Sequence, residues 1–194
     1  MENTNDMKSN SMNQKRKYLK NMNHILEGLY MIRFSFGLVF ILLVIMIFLV
    51  RPVYVHGDSM YPTLSDGEIG FTNMVDVKIN DIERFDIVSV YSEAEDKILT
   101  KRVIGLPNET LEYREGELYI DGEVVDESFL DEQYIKKQTN DGRLLFTSDY
   151  GPITLDEDEY FLCGDNRLIS KDSRISGPYK KEDIISKYFY SVLK

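Results

Sequence analysis

From Phe34 to Val50 the chain runs 17 residues without a charged side chain, and Leu29–Ile32 extends that run across the single charge of Arg33. A bilayer core takes about 20 residues of helix, so residues 29–51 are long enough for a transmembrane anchor. Arg33 and Arg51 flank it and reach toward the two interfaces. The run is apolar all round, which a helix packed on one side of a soluble core does not require. A cleaved export signal has a shorter apolar centre followed by small residues, whereas the only alanine in this chain is Ala94. The segment therefore reads as an uncleaved anchor. Lys8, Lys15, Arg16, Lys17 and Lys20 precede it against Glu2, Asp6 and Glu27. That bias predicts a single pass in the cell membrane, with the N-terminus cytoplasmic and residues 52–194 extracellular. Residues 1–28, with six Asn in the first 23, read as a disordered basic tail.

The 143 residues after the anchor suffice for one domain with a core of ordinary size. They carry 16 Lys and Arg against 30 Asp and Glu, a net charge of −14, which argues against a nucleic-acid partner. Cys163 is the single cysteine, and His24 and His56 lie on opposite sides of the anchor. No disulfide, no metal site and no cofactor are predicted from that set. Short β-like runs recur at Pro52–His56, Ile69–Asn73, Asp86–Tyr91, Ile98–Ile104, Leu111–Arg114, Glu117–Ile120 and Tyr160–Cys163, with turn residues between them. Glu115-Gly116 suits a hairpin, and residues 180–187 fit either a helical turn or a last strand. The fold expected is mainly β, an antiparallel, barrel-like domain behind one transmembrane helix.

Seven residues past Val50, where the apolar run ends, begins Gly57-Asp58-Ser59-Met60-Tyr61-Pro62-Thr63-Leu64. Gly57 removes a side chain just before Ser59 and Pro62 fixes the backbone just after it, so this serine sits in a defined turn. A serine hydroxyl needs a neighbouring base to become a nucleophile. His24 precedes the anchor, and His56 is three residues away, too near along an extended chain to fold back onto the hydroxyl. Lysine is the remaining base, provided burial lowers its pKa from about 10.4 toward neutrality. Lys101 lies in the run Ile98-Leu99-Thr100-Lys101-Arg102-Val103-Ile104, where on a strand Leu99 and Val103 share its face and Arg102 takes the other. Taken alone, it also fits an edge-strand lysine that discourages aggregation.

Two further blocks are Gly164-Asp165-Asn166-Arg167 and Ser170-Lys171-Asp172-Ser173-Arg174. Together with the Ser59 block and Lys101-Arg102, the set resembles the type I signal peptidases, membrane-bound serine proteases that cut signal peptides from exported preproteins. The resemblance implies Ser59 as nucleophile and Lys101 as general base. It implies that Ser170 orients the Lys101 amine, that Asp172 pairs with Arg174, and that Asp165 pairs with Arg102. Oxyanion stabilisation would come from the Ser59 N–H, with Gly57 standing where many relatives have a serine as second donor. Val55, Met60, Leu64 and Leu99 would line shallow pockets for the small residues of a cleavage site. Partners implied are signal-peptide-bearing preproteins and the lipid bilayer. Pro107-Asn108-Glu109 and Leu99-Thr100 depart from the family pattern beside the dyad. An inactive membrane-anchored homologue acting as a binding partner is the alternative, and the presence of both Ser59 and Lys101 argues against it.

Overall fold

The computed structural model describes residues 3–73 and 76–193. It divides into an N-terminal unit ending at Phe48 and a second beginning at Leu49. The first is one helix, α1, Asn3–Leu49. Within it Arg16–Val44 has a mean hydropathy of 1.8 and none of its apolar stretch is buried in protein. It is the one helix among the described residues long and apolar enough to cross a membrane. The sequence predicts a disordered tail over residues 1–28, whereas helix begins at Asn3. No proline occurs there, and the first glycine is Gly28. Extending an existing helix costs far less than starting one, so the apolar segment can carry helix back into a polar stretch free of breakers.

The second unit is mainly antiparallel β. Its strands are β1 (Val50–Tyr54), β2 (Ile69–Asn73), β3 (Ile87–Ser92), β4 (Lys97–Gly105), β5 (Thr110–Arg114), β6 (Glu117–Ile120), β7 (Glu123–Val125), β8 (Tyr150–Thr154), β9 (Glu159–Cys163), β10 (Tyr179–Lys180) and β11 (Ile184–Leu193). Short helices α2 (Asp76–Ile79), α3 (Glu132–Gln138) and α4 (Ser173–Ser176) interrupt them. Seven strands form one sheet in the order β1-β2-β11-β3-β4-β9-β10, and β7-β6-β5-β8 form a second. Residues 180–187 resolve into both expected forms, a 3-10 turn at Lys181–Asp183 followed by β11.

Alternation explains the second sheet: Leu111, Tyr113, Leu118 and Ile120 point inward and join Ile104 and Phe161 in one apolar cluster. Val88, Val90, Val103 and Leu162 build another. Neighbours Val103 and Ile104 thus enter different clusters, so β4 is covered on both faces at its C-terminal end. The site depends on where pairing stops. β4 pairs with β3 over 97–102, but with β9 only from Arg102 onward. The β9-side edge of residues 97–101 is therefore open, as is the outer edge of β1, which pairs only with β2.

Candidate active site

Ser59 lies half-buried in the turn between β1 and β2. Gly57 adopts φ +79°, the left-handed region that suits glycine, and its N–H donates to Asp66 Oδ1 at 2.6 Å. Beyond Ser59 the chain coils, with Tyr61 N–H donating to Asp58 O and Leu64 N–H to Met60 O. Met60 and Leu64 then bury against Val55 and Ile87 in a third cluster, which roots the turn in the domain. Apolar side chains spaced four apart in a coiled loop give it this foothold.

Lys101 is 2% exposed, the least accessible position a lysine has beside this cleft. Burial is the largest influence on its amine and pulls the pKa down from its ordinary value, while the nearby Asp172 carboxylate acts the other way. Its Nζ donates to Ser170 Oγ at 3.1 Å. Among the described residues no carboxylate is in ion-pair contact with it.

The loop after β9 supplies the remaining groups. Asp172 accepts from Gly164 N–H at 3.0 Å and from Arg174 Nε and Nη2 at 2.8 and 2.9 Å. Burial opposes ionisation of Asp172, but Arg174, Gly164 N–H and the Ser170 hydroxyl together hold its carboxyl below the usual range. On the other side of β4, Arg102 forks onto Asp165 through Nε and Nη2 at 2.8 and 2.6 Å. It also donates to Phe85 O and stacks over Phe129. Asp165 further accepts from Thr63 Oγ1 at 2.5 Å, tying the loop to the Ser59 turn. Asn166 holds that turn twice, its N–H donating to Ser59 O at 3.0 Å and its Nδ2 to Asp58 O at 3.1 Å.

Ser59, Lys101, Gly57, Val55, Met60 and Leu99 line one cleft of about 640 Å³. The open edges of β1 and β4 form its walls, through Pro52–Val55 on one side and Lys97–Lys101 on the other. Ile169 and Lys171 border it from the 164–174 loop. Leu64, anticipated as a pocket residue, does not line the cleft. The coil after Ser59 turns it down into the third cluster, where it helps to root the turn. His56 is exposed on the cleft wall.

Arg167 is the residue whose importance the sequence did not announce. Its guanidinium is wholly buried and donates to Gly164 O, to Tyr113 Oη, to Thr147 Oγ1 and to Glu127. Apart from Gly164, these partners lie 20 to 54 positions away, so no local pattern points to them. The network fastens the loop to the second sheet. A buried, multiply bonded arginine of this kind holds shape, since its guanidinium stays charged at any accessible pH.

Comparison with known proteins adds to this geometry. Residues 29–193 match the family described as signal peptidase, peptidase S26. The chain is 40% identical over 147 residues to signal peptidase I P of Bacillus subtilis subsp. natto, an alignment covering 73% of this chain and 78% of that one. With signal peptidase I T of Bacillus subtilis (strain 168) the identity is 41% over 136 residues, 70% of this chain and 69% of the other. A crystal structure of a signal peptidase I from Enterococcus faecalis V583 superimposes with a TM-score of 0.51 at 34% identity. That match covers 57% of this chain and 98% of the other.

Proposed function

The chain belongs to the signal peptidase S26 family, and on that premise we propose that it is a membrane-anchored serine endopeptidase that removes signal peptides from exported preproteins. Ser59 is the nucleophile and Lys101 the general base. The observation that carries this assignment is a buried lysine in the wall of the cleft that also holds Ser59, hydrogen-bonded to a hydroxyl rather than ion-paired. A neutral amine has two N–H groups and one lone pair. Giving an N–H to Ser170 Oγ fixes the rotation of the amine, and the lone pair is left for the Ser59 proton. Asp172, held ionised by Arg174, accepts from Gly164 N–H and so braces the loop that carries Ser170.

The reaction is acyl transfer. Lys101 takes the Ser59 proton as Ser59 Oγ attacks the scissile carbonyl, and the Ser59 N–H stabilises the oxyanion. Lys101 then returns the proton to the leaving amine, and water repeats the cycle to free the acyl-enzyme. The substrate enters extended, adding its backbone to the open edges of β1 and β4. Val55 and Met60 are buried and Leu99 half-buried along the cleft, which leaves shallow space suited to small side chains. Residues 29–51 anchor the enzyme, residues 1–28 lie in the cytoplasm, and residues 52–194 work outside it. The basic residues before the anchor support that orientation.

The test is cleavage of a model precursor by the full chain in detergent, wild type against Ser59→Ala. Loss of cleavage with an unchanged melting profile is expected. Residual cleavage within about tenfold of wild type would remove Ser59 as nucleophile.

A further inference from the structure

Ser59 is gripped on both sides by one residue. Asn166 Nδ2 donates to Asp58 O and Asn166 N–H donates to Ser59 O, so the peptide units before and after Ser59 are both held. The Asp58 carbonyl and the Ser59 N–H belong to the same planar trans unit and point in opposite directions. Drawing Asp58 O toward Asn166 therefore turns the Ser59 N–H away from the 164–174 loop. Among the described residues, no hydrogen bond uses that N–H. Asn166 is itself well held: it is 4% exposed, and its carbonyl accepts from Ser170 N–H at 3.0 Å.

We propose that Asn166 is a positioning residue for the oxyanion donor: its side-chain amide sets the direction of the Ser59 N–H through the shared Asp58–Ser59 peptide. This rests on the Ser59 and Lys101 reading above. The amide touches no reacting atom and acts only through the peptide plane. An N–H preset in this way costs no reorganisation when negative charge develops on the carbonyl oxygen, so its value lies in the transition state rather than in substrate binding.

The experiment compares full-length wild type, Ser59→Ala, Asn166→Ala and Asn166→Asp on a signal-peptide-bearing precursor across a pH series. Asn166→Asp keeps volume and the backbone contact to Ser59 O but presents no donor to Asp58 O. Both Asn166 variants are expected to lose about tenfold or more in kcat with KM within about twofold, and Asn166→Ala, which adds no charge near Lys101, to keep the wild-type pH midpoint. The unchanged midpoint separates this role from general loosening of the loop, which would disturb Ser170 and move the Lys101 titration. If Asn166→Ala melts below the assay temperature, the isosteric Asn166→Asp decides. A kcat within about twofold of wild type in either variant, or a fall in Asn166→Ala accompanied by a shifted midpoint, overturns the proposal. The wild type and Ser59→Ala pair reports on the dyad independently, so failure of one idea is not mistaken for failure of the other.

Discussion

Gly164 lies so close to Ser59 that a Cβ built on it would stand 2.3 Å from the Ser59 carbonyl oxygen and 2.3 Å from Ser170 Oγ. The serine turn and the hydroxyl beside Lys101 therefore meet over a residue without a side chain. Gly164→Ala must push them apart. The expected result is a loss of cleavage of about a hundredfold, with a destabilisation of about 1–3 kcal/mol from overpacking. Initial rates and thermal unfolding of the same preparation check both.

Lys101→Arg separates a base from a fixed positive charge. A guanidinium keeps its proton at any accessible pH, so the variant should be as inactive as Lys101→Ala. In the wild type, activity should rise with pH through the lowered lysine pKa, because only the neutral amine can accept the Ser59 proton. Substantial turnover by Lys101→Arg would move the base elsewhere.

The same lowered pKa has a consequence for stability, of definite sign. The unfolded chain holds the Lys101 proton up to about pH 10.4, while the folded chain releases it at lower pH. Between those two values unfolding takes up a proton, so stability rises as pH increases across that window. Below the folded pKa the burial penalty is fully present. Lys101→Met should flatten this rise, leaving the variant relatively more stable than wild type at the lower end of the window. Denaturant titrations of both proteins from neutral pH to pH 10 measure the difference.

Arg102 and Asp165 form a buried, forked pair whose side chains are 9% and 1% exposed. Asp165→Ala strands the guanidinium and should cost about 3–5 kcal/mol. Arg102→Met combined with Asp165→Leu should recover much of that loss, since no uncompensated charge remains. A single variant no worse than the double would show that the pair is not needed for stability.

What could be read from the chain differed from place to place for physical reasons. Lys101 was legible because a charge is out of place in Ile98–Ile104, and the strand Ile69–Asn73 was legible because turn residues bracket it. The strand Tyr150–Thr154 contains Gly151 and Pro152 and is mostly exposed, so neither propensity nor alternation marked it. Helix α3 is seven residues long with no buried side chain, and only its Asp131 cap, which accepts from Tyr134 N–H, carries a local signal. Leu64 looked like a pocket residue from its distance to Ser59 in sequence. The coil between them, with Leu64 N–H bonded to Met60 O, reversed its direction. Arg167 closes the Gly164-Asp165-Asn166-Arg167 block, but its worth lies in Glu127, Tyr113 and Thr147, which only tertiary folding brings to it.

β11 follows every other strand in the chain, yet it fills the middle of the larger sheet, between β2 and β3. Until those residues have been synthesised and delivered, the β1-β2 pair and the β3-β4 pair are separate hairpins with no ladder between them. The cleft draws one wall from each. Long-range pairing of this kind is slow to form and comes late on the folding route. Ser59 and Lys101 lie in the two walls that β11 joins, so the cleft holding both takes shape only once the last strand is in place.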